Sequence, residues 1–308
     1  GSGERGGIEA GLLPGLLPGG RPVSHPEARA QVERAWNMGP EHGLPTSLGR
    51  DTTGILSALL DGTLGGAVVG GIDLRDFPDP GLARAALAAS GFTVQLEVRR
   101  SEVSEHADVV LPVAPAVEKN GTFVNWEGRV RPFGQAHVSR ARTDRQVLGM
   151  LADEMGVDLQ VDDLVTLHDQ LAALGLWRGQ RMPVAFGHAP VTGAEASVGG
   201  GVEALLTTHK PMLDAGRLQD GEPFLAATAL RPVAKVGVDL ARRLSLAGGE
   251  EVTVSTATGS ITLPAVVGGV SDGSVWLPEC SAGSTVHQTL GAGHGSRVTL
   301  TLAAEVLR

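Results

Sequence analysis

At 308 residues, 42% hydrophobic and 19% charged, the chain is long enough for two domains plus a connector and too apolar for wholesale disorder. Aromatic residues make up 3%, with no Tyr, against 44 Gly and 18 Pro, so the core has to be built from Ala, Val and Leu between turns set by Gly and Pro. A net charge of −9 without any tract of Lys and Arg argues against a nucleic-acid or anionic-membrane surface. The longest apolar stretches, Ala67–Ile72 and Leu263–Val270, fall far short of the roughly 20 residues that span a bilayer. The single Cys280 forms no intrachain disulfide and cannot alone hold an iron–sulfur cluster, and it points to a reducing compartment. The opening Gly1-Ser2-Gly3-Glu4-Arg5-Gly6-Gly7, without initiator Met or apolar signal region, reads as a piece of a longer polypeptide.

In chain order, Leu12-Leu13-Pro14-Gly15-Leu16-Leu17-Pro18-Gly19-Gly20-Arg21-Pro22 cannot be continuous helix or central strand and reads as a loop that packs its leucines. Pro26 opens a short helix that ends near Trp36. Elements then alternate: a helix at Ile55–Leu60, a strand at Ala67–Ile72, a helix at Leu82–Ala89, a strand at Phe92–Val98, a helical turn at Glu102–His106 and a strand at Asp108–Leu111. Apolar strands separated by Ala/Leu helices predict half of a parallel, doubly wound sheet. The polar, Gly-punctuated run Glu118–Val130 predicts a site-forming loop, and Asp144–Met155 an amphipathic closing helix. Leu164, Leu167, Leu171 and Leu174 mark a linker helix, and regularity fades from Gly175 to Gly221 into a long connection. Strands are expected at Phe224–Ala229, Glu251–Ser255, Ser260–Ala265, Ser274–Leu277 and Arg297–Leu302, with a short helix from Ala241 that glycine stops; together they read as a small barrel.

In the Gly121 loop, Thr122, Asn125, Glu127 and Arg129 supply paired donors and acceptors that could hold a pterin or nucleotide edge, with Gly121 and Gly128 allowing close backbone approach. The competing reading is that Glu127 and Arg129 pair with loop backbone and hold no ligand. The histidines are scattered without zinc-site spacing, Gly291–Gly295 lacks the Lys-Ser/Thr of a phosphate loop and reads as a turn, and Cys280 has no neighbouring base.

The pair Ala107–Pro112 and Glu118–Val130 resembles the molybdopterin oxidoreductase superfamily. With Leu16–Pro22 and Val275–Ser284, it is similar to one family within it, the large iron–sulfur subunits of NADH-quinone oxidoreductase, which is respiratory complex I. The resemblance implies an α/β fold: a parallel, doubly wound, Rossmann-like domain (1–158), a linker (159–221) and a C-terminal double-psi-type β-barrel (222–308). It implies a structural role without catalytic or metal-binding residues, and at most a vestigial pterin loop at Gly121, Thr122, Asn125, Glu127, Gly128 and Arg129. By the same resemblance, 4Fe-4S and 2Fe-2S clusters lie elsewhere in the full-length protein, and the partners are the other peripheral-arm subunits of complex I. The assembly sits on the cytoplasmic side of the bacterial inner membrane, with no membrane insertion by this chain and no nucleic acid. The alternative is the C-terminal part of an active molybdenum or tungsten bis-pterin enzyme such as formate dehydrogenase or nitrate reductase.

Overall fold

The computed structural model describes residues 4–41, 43–161, 163–182 and 200–303. They fall into two compact units, one grouping the residues up to Gly71 with those from Ala86 to the end of the α/β region, the other grouping Ile72–Ala85 with a barrel.

The α/β unit starts with helix α1 (Glu4–Glu9) and the two-residue strands β1 (Leu16–Leu17) and β2 (Arg21–Pro22), which pair across a 3-10 turn at Pro18–Gly20. Helix α2 (Pro26–Ala35) begins on its proline and buries Ala28 and Val32, one turn apart. Val32 packs with Leu17 and Val23 into a small core that Leu44 and Leu174 flank. Helix α3 (Thr52–Leu60) is capped by Asp51, whose Oδ1 accepts from the Gly54 amide at 2.7 Å.

Strands β3 (Ala67–Gly70), β4 (Thr93–Glu97) and β5 (Val109–Pro112) form a parallel sheet in sequential order, with helix α4 (Pro80–Ala89) between β3 and β4 in sequence. The order never reverses among the described residues, so the sheet shows one winding and no switch point. Only β4 is well buried: Val68 on β3 is 63% exposed.

The expected loop at Glu118–Val130 is a β-hairpin of β6 (Gly121–Val124) and β7 (Val130–Phe133). Its sequence hides this because the apolar alternation of each strand lasts only four residues. Helix α5 (Asp144–Glu154) opens on a reciprocal capping box, Thr143 with Gln146, and α6 (Leu164–Leu174) on Asp163, whose Oδ1 accepts from Thr166 N at 2.8 Å. Helix α6 packs against α2 inside this unit, which is not the behaviour expected of a linker helix.

The second unit is a closed barrel. Its strands are β8 (Val202–His209), β9 (Ala234–Val236), β10 (Glu251–Ser255), β11 (Ser260–Val267), β12 (Ser274–Pro278) and, last in the chain, a strand at Arg297–Leu302. Helix α7 (Pro223–Ala226) lies between β8 and β9 in sequence and α8 (Val238–Arg243) between β9 and β10. After β12 come a small β13 (Cys280–Ser281) and β14 (Ser284–Thr285) pair and helix α9 (Val286–Leu290); the final strand is β15. The order around the barrel is β10-β11-β9-β12-β8-β15, with β9/β11 and β8/β12 parallel and the other pairs antiparallel. Closure leaves no free sheet edge, and alternate residues such as Val252, Val254, Leu206, Leu277 and Leu300 fill the interior at 0% exposure.

Three expectations fail here. The stretch 159–221, expected as a connector, contributes α6 to the α/β unit and β8 to the barrel; the middle of it, 183–199, lies outside the described residues. Phe224–Ala229 is not a strand, because Glu222 accepts from the amides of Phe224 and Leu225 and Pro223 sets the first helical φ, so α7 forms. The helix expected from Ala241 instead starts at Val238 and ends at Arg243.

Candidate functional site

The hairpin residues named from the sequence divide into two groups. Asn125, Glu127, Gly128 and Arg129 make the turn, and its polar groups bond to one another. Asn125 Oδ1 accepts from Arg129 N at 2.8 Å, the Asn125 amide donates to Arg129 O at 3.0 Å, and the Gly128 amide donates to Asn125 O at 2.8 Å. Arg129 Nε lies 3.1 Å from Glu127 Oε2, which also accepts from Asn125 Nδ2 at 3.4 Å. Gly128 takes φ +81°, where a side chain would be strained. Trp126 between them is 85% exposed.

Gly121 and Thr122 sit elsewhere, on the wall of a cavity of about 880 Å³. Gly121 pairs with Phe133, and a Cβ at Gly121 would come within 2.7 Å of the Phe133 ring, so the missing side chain makes room for an aromatic neighbour. Phe133 in turn stacks on Phe123 with ring centroids 5.0 Å apart. Thr122 Oγ1 faces His168 Nε2 on α6 at 3.4 Å. From α6 come Leu164, Leu167, Leu171 and Leu174, the stripe that marked it in the sequence, with His168 among them. At one end Lys119 Nζ donates to Asp144 Oδ2 at 2.5 Å.

The turn's own donor set is not arranged to hold a pterin: the amide of Asn125 and the carboxylate of Glu127 are bonded within the turn and do not line the cavity, whose walls mix leucine, valine and phenylalanine with Glu9, Arg21, Lys119, Asn120, Asp144, Arg145 and His168. Among the described residues no group of three or more His, Cys, Asp or Glu is placed to hold a metal ion.

Sequence reasoning missed the most buried charge. Arg21 is fully buried; its Nε donates to Gln31 Oε1 at 3.0 Å, Nη1 to Pro18 O at 3.1 Å, and Nη2 to Leu174 O and to Gly175 O. One side chain thereby ties the Pro-Gly turn to the end of α6, and burial pulls its pKa below the ordinary arginine value. The neighbouring Gly-Gly-Arg-Pro was visible, but partners near residue 174 are not legible locally.

In the barrel unit, Asp73 and Arg75 form a two-point pair at 2.6 and 3.0 Å, and Arg75 Nη1 donates to Ala215 O at 3.0 Å. Burial acts to raise the Asp73 pKa, but hydrogen bonds and charge from Arg75 outweigh it and hold the carboxyl below its ordinary value. Cys280, 4% exposed, has its thiol pushed up chiefly by burial, with Arg75 pulling the other way. A shift in this direction disfavours the reactive thiolate.

A family profile described as molybdopterin oxidoreductase matches residues 68–154, which include the parallel sheet and the hairpin. Over 303 residues, 97% of its length, the chain is 50% identical to an NADH-quinone oxidoreductase subunit of Mycobacterium bovis. The chain belongs to the molybdopterin oxidoreductase superfamily, in this family of NADH-quinone oxidoreductase subunits. The subunit of the same name from Streptomyces coelicolor is 44% identical over 305 residues, again 97% of this chain. These alignments take in 37% and 35% of the two relatives, so the chain spans little more than a third of their length. A putative formate dehydrogenase of Bacillus subtilis, by contrast, is 29% identical over 155 residues, 49% of this chain and 15% of that protein.

Proposed function

We propose that the chain is a structural part of the large iron–sulfur subunit of NADH-quinone oxidoreductase, bracing a complex that passes electrons from NADH to quinone, with no bond-making residue of its own. The 4Fe-4S and 2Fe-2S clusters belong to residues outside these 308, and the neighbours are the other peripheral-arm subunits on the cytoplasmic side of the bacterial inner membrane. Among the described residues no helix is long and apolar enough to cross a membrane. The observation that carries this reading is the breadth of the relationship: 50% identity to the Mycobacterium bovis subunit runs across 97% of the chain, while the formate dehydrogenase likeness stops at 49%. The internally bonded turn at Asn125–Arg129 supports it, since a cofactor clamp would leave those groups free. On the same reading the α/β unit is part of a Rossmann-like sheet, and the barrel, with its two interleaved parallel pairs, is of the double-psi type.

The test is a triple substitution in the intact complex, Asn125→Ala, Glu127→Gln and Arg129→Ala. A structural part leaves NADH:quinone turnover within about twofold of the parent, because exposed pairs of this kind contribute little. A loss of about a hundredfold or more would contradict a merely structural role for the turn.

A further inference from the structure

We infer that the α/β unit carries an anion pocket that takes a phosphoryl group of a small molecule, framed by Arg5, Arg178 and Arg181. The pocket, about 380 Å³, lies between α1, the Gly19-Gly20 turn and the segment that follows α6. It gathers three guanidinium groups against one carboxylate, that of Glu9, in a chain of net charge −9. Arg5 is engaged by Glu9, with Nη2 2.6 Å from Oε1. Arg178 and Arg181 are exposed and have no hydrogen-bond or ion-pair partner among the described residues.

A second, independent observation points the same way. Arg21, fully buried, bonds only neutral oxygens, those of Gln31, Pro18, Leu174 and Gly175, and no carboxylate comes within ion-pair distance of it among the described residues. Each of its three nitrogens donates to an oxygen, but its charge is not matched, and a buried cation without a counter-charge is costly. The Arg21 guanidinium lies 5.9 Å from the centroid of the Trp177 ring, and Trp177 lines the pocket. Gly19, which lines the pocket, has no side chain, and a Cβ there would meet Arg21 Nη1 at 2.5 Å. Arg21 lines the larger cavity rather than this pocket, so an anion seated here acts on its charge from across Gly19 and Trp177.

The chemistry favours a tetrahedral oxyanion. Planar guanidinium forks from separate directions each bond two oxygens, and a phosphoryl group offers enough oxygens to serve more than one. Leu176 and Trp177 give an apolar side against which an organic body can rest.

The chain is titrated by calorimetry with inorganic phosphate and with phenyl phosphate, at low and at raised salt. Saturable, salt-sensitive binding is expected, weakened by about tenfold or more in Arg178→Ala/Arg181→Ala, given the strength of charge-assisted bonds. The Arg242→Ala/Arg243→Ala variant on α8 should bind as the parent does. Tighter phenyl phosphate identifies an ester as the ligand, and equal affinity identifies free phosphate. Because Arg178 and Arg181 are exposed, their loss leaves the fold intact, which a thermal melt of the variant checks. Absence of saturable binding of either probe, or an affinity unchanged in Arg178→Ala/Arg181→Ala, overturns the inference.

Discussion

The barrel and the α/β unit solve the same problem, a chain nearly without aromatics, by different means. The barrel closes on itself and packs Val, Leu and Ile at or near zero exposure in one continuous core. The α/β unit has small separate clusters, such as Leu17, Val23 and Val32 or Leu96, Val113 and Val147, and leaves sheet valines at the surface. What fixes its shape is polar: Arg21 across the Pro-Gly turn, Lys119 on Asp144, and Gln95, 0% exposed, bonded to Ser101 at 3.0 Å and Ser104 at 2.7 Å. Closure lets small aliphatic side chains suffice; an open three-stranded sheet has to be held by directional bonds.

The sharpest way to break this contrast is to cut into each unit's own support. Leu277→Ala, at a fully buried barrel position, should destabilise the barrel by about 4 kcal/mol. Val68→Ala on the exposed β3 should change stability by less than about 0.5 kcal/mol. Hydrogen exchange followed peptide by peptide assigns each loss to its unit. Arg21→Ala should cost the α/β unit about 3 kcal/mol, because several buried acceptors lose their donor. Arg21→Lys should not restore it, since an ammonium cannot span the same oxygens. A barrel that responds to Arg21→Ala as strongly as the α/β unit would refute the division.

Smaller effects sharpen the picture. Arg129→Ala, measured by urea unfolding, should cost below about 1 kcal/mol, as for any exposed pair. The last prediction concerns pH. The backbone hydrogen bond from its own amide, then those from the amides of Ala247 and Gly248, hold the Glu250 carboxyl below the ordinary glutamate pKa. A depressed carboxyl contributes stability that is fully present above the unfolded-state pKa and lost as pH falls through the folded one. The acid limb of a melting-temperature profile should therefore be shallower in Glu250→Gln than in the parent; identical limbs would contradict it.

The sequence was a good guide where period and burial agree. Val252 and Val254, Ile261 with Leu263, and Val298 with Leu300 announce β10, β11 and β15 by alternation alone. It misled where an element is short or masked by glycines: β9 has three residues, and β8 follows Gly199-Gly200-Gly201, which drew attention away from the alternation of Ala204 and Leu206. In the hairpin, Asn, Glu and Arg are the right residue types for holding a ligand and equally for closing a turn. Only geometry separates the two, because Asn125, Glu127 and Arg129 bond to one another rather than face the cavity that Gly121 and Thr122 line. Arg21 was invisible for another reason, since its partners at Leu174 and Gly175 are remote in sequence.

The central claim is that this chain supports electron carriers housed elsewhere and holds no metal–pterin centre. Elemental and pterin analysis of the intact protein tests it most directly: the account predicts iron with neither molybdenum nor tungsten nor released pterin. One equivalent of molybdenum or tungsten with its pterin would contradict it.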